Sequence, residues 1–305
     1  MAFHRRVVLP LVALLAFIAT VYGDCTCEKN KRVTNCALNN NQECKCVSLG
    51  SDVTVSCGTL TSKCLLMKAE VTGLRGRKRP SQAFVDNDGI YNPECDHNGN
   101  FKAKQCNGTS TCWCVNSAGV RRTEKGDANI TCDEVVRTSW IIIETKPVNT
   151  ALDAQSVERA FTEALVQRYL LKEKHINVAY DNSYITVDLK QNASEKSASD
   201  VDIADVAYYF EKDVKGDSIP IQSLWNITVR GEPLQLQDTL IYYVDEKPPE
   251  FSMKRLTAGV IAVIVVVALA IVAGILVLVF TRRKTGKYEK AEVKEMNEMH
   301  RELKS

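Results

Sequence analysis

All twelve cysteines of this 305-residue chain lie between Cys25 and Cys132. That confinement constrains the fold more than any other feature of the sequence. The cysteine-bearing part is polar and rich in Asn, Gly and Lys, so it cannot bury enough apolar surface to hold itself together and must rely on covalent cross-links. An even count reads as six disulfides, which requires an oxidising compartment. Metal binding through the Cys-x-Cys pairs is the competing reading. Only His97 and His175 could add imidazole ligands in the same compartment, and oxidising conditions favour bridges.

The ends of the chain supply that compartment. His4, Arg5 and Arg6 form a positive start, Val7 to Ala19 is an apolar run broken only by Pro10, and Val21-Tyr22-Gly23 precedes Asp24. This is the pattern of a secretory signal over residues 1–23, cleaved before Asp24. A second apolar stretch, Ala258 to Phe280, has no charged or amide side chain. At 1.5 Å per residue it reaches about 34 Å, enough to cross a hydrocarbon core of about 30 Å as one transmembrane helix. Arg282, Arg283, Lys284 and Lys287 follow it, but Lys254 and Arg255 precede it, so the N-terminal signal decides the topology: the tail (281–305) in the cytoplasm and everything before the span outside. Asn107, Asn129, Asn192 and Asn226 each begin an Asn-x-Ser/Thr glycosylation sequon, and all four face the lumen in this topology. The formal net charge of +2 gives no reason to invoke nucleic acid.

Three parts are expected outside the membrane. Residues 24–60 carry cysteines 25, 27, 36, 44, 46 and 57 in polar sequence, a small disulfide-rich domain with little regular structure whose fifteen pairings spacing leaves open. Residues 61–134 carry the other six. Here Tyr91-Asn92-Pro93-Glu94-Cys95-Asp96 is followed by Gln105-Cys106 and Cys112-Trp113-Cys114-Val115. That arrangement resembles the thyroglobulin type-1 module, and the resemblance implies sequential pairing: Cys64–Cys95, Cys106–Cys112 and Cys114–Cys132. Trp113 is expected to pack across the small core. Between Cys64 and Cys95 lies a tip with Arg77, Lys78 and Arg79 preceded by Gly73 and Gly76, an exposed loop suited to a trypsin-like protease at Arg77–Lys78 or Lys78–Arg79. A merely solvated basic loop and a heparin site are the alternatives there.

Residues 135–250 have no cysteine and must fold by burying a core. Trp140-Ile141-Ile142-Ile143 predicts a buried strand. Asp153 can cap a helix whose apolar positions are Val157, Ala160, Phe161, Ala164 and Leu165. Ile176–Tyr180 and Tyr184–Leu189 flank a hairpin turn at Asp181-Asn182-Ser183. Val201 to Phe210 fits either strand or helix, and Trp225–Val229 and Leu240–Val244 predict further strands, with Asn226 inside the first. The set suggests an α+β domain with an antiparallel sheet, whose apolar residues serve only core packing.

The order of segments, with Phe101-Lys102-Ala103-Lys104-Gln105-Cys106-Asn107-Gly108-Thr109, Asp202-Ile203-Ala204-Asp205-Val206-Ala207-Tyr208-Tyr209-Phe210 and Leu240-Ile241-Tyr242-Tyr243-Val244-Asp245-Glu246-Lys247, resembles the epithelial cell adhesion molecule family, which includes the trophoblast cell-surface antigen. The tail stretches Tyr288-Glu289-Lys290-Ala291-Glu292 and Glu298-Met299-His300-Arg301-Glu302-Leu303 resemble the adhesion molecule more than its paralogue. The resemblance implies N-terminal bridges Cys25–Cys44, Cys27–Cys57 and Cys36–Cys46. It also implies a type I plasma-membrane protein of lateral or junctional epithelial membranes, a homodimer in cis with self-contact in trans as a further expectation, claudin-type membrane partners, proteases acting on the basic loop and near the membrane, and a role in adhesion and signalling. A glycan at Asn226 departs from the family and would question any contact through that face. Ala270 and Gly274, four apart, put two small residues on one face of the span for close helix approach.

Two other functions compete. Some thyroglobulin type-1 modules inhibit cysteine proteases, which makes a membrane-tethered inhibitor or a cis-acting regulator of claudins the alternative. An enzyme is not expected: a nucleophile–histidine pair would have to use His97 or His175, both read as solvated, and no phosphate-cradling loop or histidine metal motif occurs. No catalytic residue, cofactor or metal is assigned.

Overall fold

The computed structural model describes residues 25–73, 91–148, 152–197, 199–222, 226–250, 262–282 and 296. The signal segment 1–23, the basic tip with Arg77, Lys78 and Arg79, and nearly all of the tail lie outside the described residues. The chain divides into two compact units, Met1–Phe251 and Ser252–Ser305.

The first unit opens with an antiparallel sheet of β1 (Val33–Leu38), β2 (Cys44–Ser48) and β3 (Thr54–Ser56), in that order. The domain expected to have little regular structure is therefore a small sheet; its strands are too short and polar to show apolar alternation. β1 is an edge strand with a bulge between Thr34 and Ala37, where Asn35 takes a φ of 50°.

Helix α1 (Lys63–Gly73) begins the thyroglobulin-type part, followed by the β4 (Lys104–Cys106) and β5 (Cys112–Cys114) hairpin. Trp113 is 1 % exposed and meets Tyr91 edge-on at 5.0 Å between ring centroids, with Phe101 and Val115 closing the cluster. Its partners are thus two further aromatic rings as well as the bridges. Gly119, at φ +76°, sits so close to the Phe101 ring that a Cβ would lie 2.4 Å from it.

The cysteine-free part has a four-stranded antiparallel sheet in the order β11-β6-β8-β7. These strands are β6 (Thr138–Pro147), β7 (Ile176–Asp181), β8 (Tyr184–Lys190) and β11 (Leu236–Asp245), and the short pair β9 (Thr228–Val229) and β10 (Glu232–Pro233) forms a separate two-stranded sheet. Asn182 and Ser183 both take positive φ, 49° and 66°, which joins β7 to β8 through a turn whose twist matches the strands. Helix α2 (Ala154–Tyr169) starts where expected, with the Asp153 carboxylate accepting from Ser156 N–H at 3.0 Å. It buries Val157, Phe161, Leu165 and Tyr169; Ala160 and Ala164 are only half-buried.

The ambiguous segment is a helix, α3 (Ile203–Val214), capped by Asp202. Its 3.6-residue period wins because Ile203, Val206, Ala207 and Phe210 all enter the core with Ile141, Ile143, Ile185, Val187 and Leu189. The expected strand at 225–229 is shorter, with Trp225 outside the described residues and Asn226 exposed just before β9. The second unit contains helix α4 (Ala262–Arg282), long and apolar enough to cross a membrane; 258–261, the start of the expected span, lie outside the described residues.

Candidate binding face and interdomain joint

Antiparallel pairing puts directly opposed residues on one face of a sheet. On the side facing the helices, Ile241, Ile143, Val187 and Val178 form one row, and Tyr243, Ile141, Leu189 and Ile176 the next. The opposite side carries Val244, Trp140 and Lys190; then Tyr242, Ile142, Asp188 and Asn177; then Leu240, Glu144, Thr186 and Ala179. No described element covers it. Leu240 is 50 % exposed, Tyr242 46 % and Val244 37 %, while Trp140 and Ile142 are half-buried. The face is therefore divided: an apolar half on β11 and β6, and a polar half on β8 and β7.

The polar half is ordered. Lys190 Nζ lies 4.4 Å from the Trp140 ring centroid, and Trp140 Nε1–H donates to Asp188 at 2.8 Å. These two contacts anchor the indole between the polar and the apolar half. An apolar patch rimmed by polar groups is the form of a protein-binding surface. The expectation that apolar residues of this part serve only core packing is corrected here. The signal was present in Trp140-Ile141-Ile142-Ile143 and Leu240-Ile241-Tyr242-Tyr243-Val244: an unbroken apolar run in a sheet with helices on one side must expose every second residue.

The three parts meet on α3. The Glu70 carboxylate of α1 accepts from Tyr208 at 2.8 Å, from Lys212 at 2.7 Å and from Arg32 at 3.4 Å. Burial pushes this carboxyl up, but the charge and hydrogen bond of Lys212, with Tyr208 and Arg32, outweigh it and hold it below the ordinary value. One turn earlier, Asp205 accepts the Lys63 N–H at 2.7 Å, and burial, then the Asp202 charge, raises its pKa to about 7. Thr61 N–H donates to the Tyr209 hydroxyl, which donates to Lys29 carbonyl, each at 3.2 Å. Arg122, 6 % exposed, pairs with Asp245 at 3.1 Å and donates to the carbonyls of Lys247 and Pro248, tying the thyroglobulin-type part to the chain leaving β11. Sequence reasoning could not find this joint, because its members are lone polar residues spread from position 32 to 245.

The cysteines form six disulfides: Cys25–Cys44, Cys27–Cys57, Cys36–Cys46, Cys64–Cys95, Cys106–Cys112 and Cys114–Cys132. Asn107, Asn129, Asn192 and Asn226 are all exposed. Val229, three residues after Asn226, packs with α2 in the core. Ala270 and Gly274 are exposed on α4. Of the two histidines, His97 is exposed. His175, read as solvated, is 3 % exposed, with Nδ1 2.6 Å from the Lys190 carbonyl, because the short helical turn Glu173–His175 folds under β8.

Fold and site together define a class: a single-pass membrane protein whose disulfide-framed folded unit ends in an α+β domain with an open, half-apolar sheet face. Family models match in three consecutive pieces: the N-terminal domain of the epithelial cell adhesion molecule over residues 25–63, the thyroglobulin type-1 repeat over 64–132, and the EPCAM/Trop-2 C-terminal model over 138–245. The chain is 57 % identical over 302 residues to the epithelial cell adhesion molecule of Mus musculus and 56 % identical over 301 residues to that of Homo sapiens, with 96 % of each chain covered. It is 50 % identical to tumor-associated calcium signal transducer 2 of Homo sapiens at the same coverage. The chain belongs to the epithelial cell adhesion molecule family.

Proposed function

We propose that this protein is a type I glycoprotein of the lateral or junctional plasma membrane of epithelial cells, acting in cell–cell adhesion and signalling by binding a second copy of itself. The single observation that carries this is the open half-apolar face formed by Leu240, Tyr242, Val244, Trp140 and Ile142. The fitting occupant is another ectodomain in the same membrane, since self-association buries such a face without a separate ligand. Close approach of two spans at Ala270 and Gly274 would add to the same cis pairing. Contact between cells, claudin-type partners and proteolysis of the basic loop and the membrane-proximal stretch belong to the same reading, which is non-enzymatic.

The test has two arms. Chemical cross-linking of the full chain on one cell should yield a dimer that Tyr242→Lys abolishes. Shaking expressing with non-expressing cells in two colours should give clusters of expressing cells alone. Mixed clusters would point to a different ligand. No clustering and no cross-linked dimer, with the protein at the surface, would sink self-association and favour a cis-acting regulator of claudins or a tethered cysteine-protease inhibitor.

A further inference from the structure

Two of the N-terminal bridges touch. Cys46 Sγ, bonded to Cys36, lies 3.2 Å from Cys57 Sγ, which is bonded to Cys27. The sulfurs of Cys27, Cys46 and Cys57 all lie within 4.8 Å of one another. Their accessibility differs. Cys27 is 2 % and Cys46 1 % exposed, whereas Cys36 and Cys57 are half-buried, and Cys36 sits in the bulge of the edge strand β1, outside the β1–β2 register. A thiol from solution therefore reaches Cys36, in a stretch of edge strand without ladder partners, while its bonded partner Cys46 and the final leaving group Cys27 are buried.

We propose that these bridges are a two-step exchange relay, through which a cell-surface dithiol reductant acting at Cys36 frees Cys27. In the first step the reductant thiolate attacks Cys36 Sγ. A mixed disulfide forms there, the Cys36–Cys46 bond breaks, and its electron pair leaves on Cys46. In the second, the Cys46 thiolate attacks Cys57 Sγ, its contact neighbour; a Cys46–Cys57 bond forms, the Cys57–Cys27 bond breaks, and Cys27 departs as a thiolate that takes a proton from water. The reductant's second thiol then attacks its own bonded sulfur and releases Cys36 as a thiol. The dithiol is oxidised to its disulfide by two electrons, and the chain ends with one new bridge and two thiols.

Cys27 opens the segment that docks the N-terminal sheet on the α+β domain. Immediately after it, Ile221 N–H donates to Glu28 carbonyl at 2.8 Å and Lys31 N–H to Ile219 carbonyl at 3.0 Å. Arg32 reaches Asp217 at 2.9 Å as well as Glu70. Loss of Cys27–Cys57 leaves Cys25–Cys44 as the remaining cross-link between this segment and the sheet, so the relay loosens the docking without cutting the chain.

The test uses the full chain in membranes of expressing cells, treated with a limiting dose of reduced thioredoxin, then alkylated and mapped by mass spectrometry. The expected result is alkylated Cys27 and Cys36 together with a peptide linked through Cys46–Cys57. Alkylated Cys36 and Cys46 with Cys27–Cys57 intact would overturn the relay, as would first labelling among the bridges of Cys64 to Cys132, or none anywhere. A double variant, Cys36→Ala with Cys46→Ala, should leave Cys27 unlabelled at the same dose; labelled Cys27 in that variant would also overturn it. If the variant does not reach the surface, the wild-type map decides alone.

Discussion

The Asp205 carboxylate accepts the backbone N–H of Lys63 at 2.7 Å, so a side chain of the α+β domain satisfies the first turn of the helix that opens the thyroglobulin-type part. One buried acid thereby joins two separately patterned pieces of sequence. Lys63 returns the contact with its ammonium 4.7 Å from the Tyr243 ring centroid.

Burial of the Asp205 carboxyl makes the joint sensitive to pH. Burial, and next the Asp202 charge, raise the Asp205 pKa from 3.8 to about 7; Lys63, Lys196 and the Lys63 amide act against the rise. A folded-state pKa above the unfolded value gives stability that is fully present below about pH 4 and is lost as pH rises through 7, at about 1.4 kcal/mol per pH unit for one proton. Asp205→Asn keeps an oxygen acceptor and removes the charge. Thermal melts from pH 5 to 8 should therefore show a flatter profile in the variant, with the variant the more stable at pH 8. Parallel profiles would show that Asp205 does not titrate there.

Glu70→Ala leaves Lys212 and Arg32, each with a side chain 12 % exposed, without their shared carboxylate. Stability should fall by about 2–4 kcal/mol, with Glu70→Gln losing less because the amide oxygen still accepts from Tyr208. Chemical denaturation of the folded unit measures it.

Tyr242→Lys adds charge to a side chain already 46 % exposed. It should change folding stability by no more than about 0.5 kcal/mol while weakening cis association. Sedimentation of the ectodomain separates the two effects, and a shifted melt with unchanged association would place the contact elsewhere.

Trp113→Ala removes a ring that is 1 % exposed from the centre of the small cluster with Tyr91 and Phe101. A loss of about 3–5 kcal/mol is expected. In cells the readout is retention before the surface, seen as glycans that stay sensitive to endoglycosidase H.

Replacing Gly274 with Ile puts a branched side chain where an added Cβ meets nothing within 4 Å along the isolated helix. The helix itself should be unaffected, while close approach of two spans is blocked. Cross-linking through a cysteine introduced beside the membrane should drop relative to the parent chain, and an unchanged yield would remove the Ala270–Gly274 face from the contact.

Much of the architecture is legible in the sequence wherever it is set by local physics. The Asp153 cap, the period of α2, the alternation of Ile185, Val187 and Leu189, and the membrane-length apolar run all follow from spacings of a few residues. Val201 to Phe210 resists, because its apolar residues satisfy both periods locally, and only packing against Ile141 and Ile143 selects the helix.

The open face shows the boundary most directly. That Leu240 to Val244 forms a strand is fixed by β-branched and aromatic residues in a row. Which of its two apolar sides meets the helices depends on the register that pairs Tyr242 with Ile142 and Tyr243 with Ile141. Likewise the cysteine count demands cross-links, but the 3.2 Å approach of Cys46, in β2, to Cys57, just beyond β3, arises only when β2 and β3 pair. The sequence by itself determined the cross-linked character, the membrane span and most of the elements, since each rests on composition or short-range periodicity. Tertiary structure alone decided the Glu70 and Asp205 joint, the exposed half of the sheet and the touching bridges, since each depends on distances between residues that the chain's order leaves far apart.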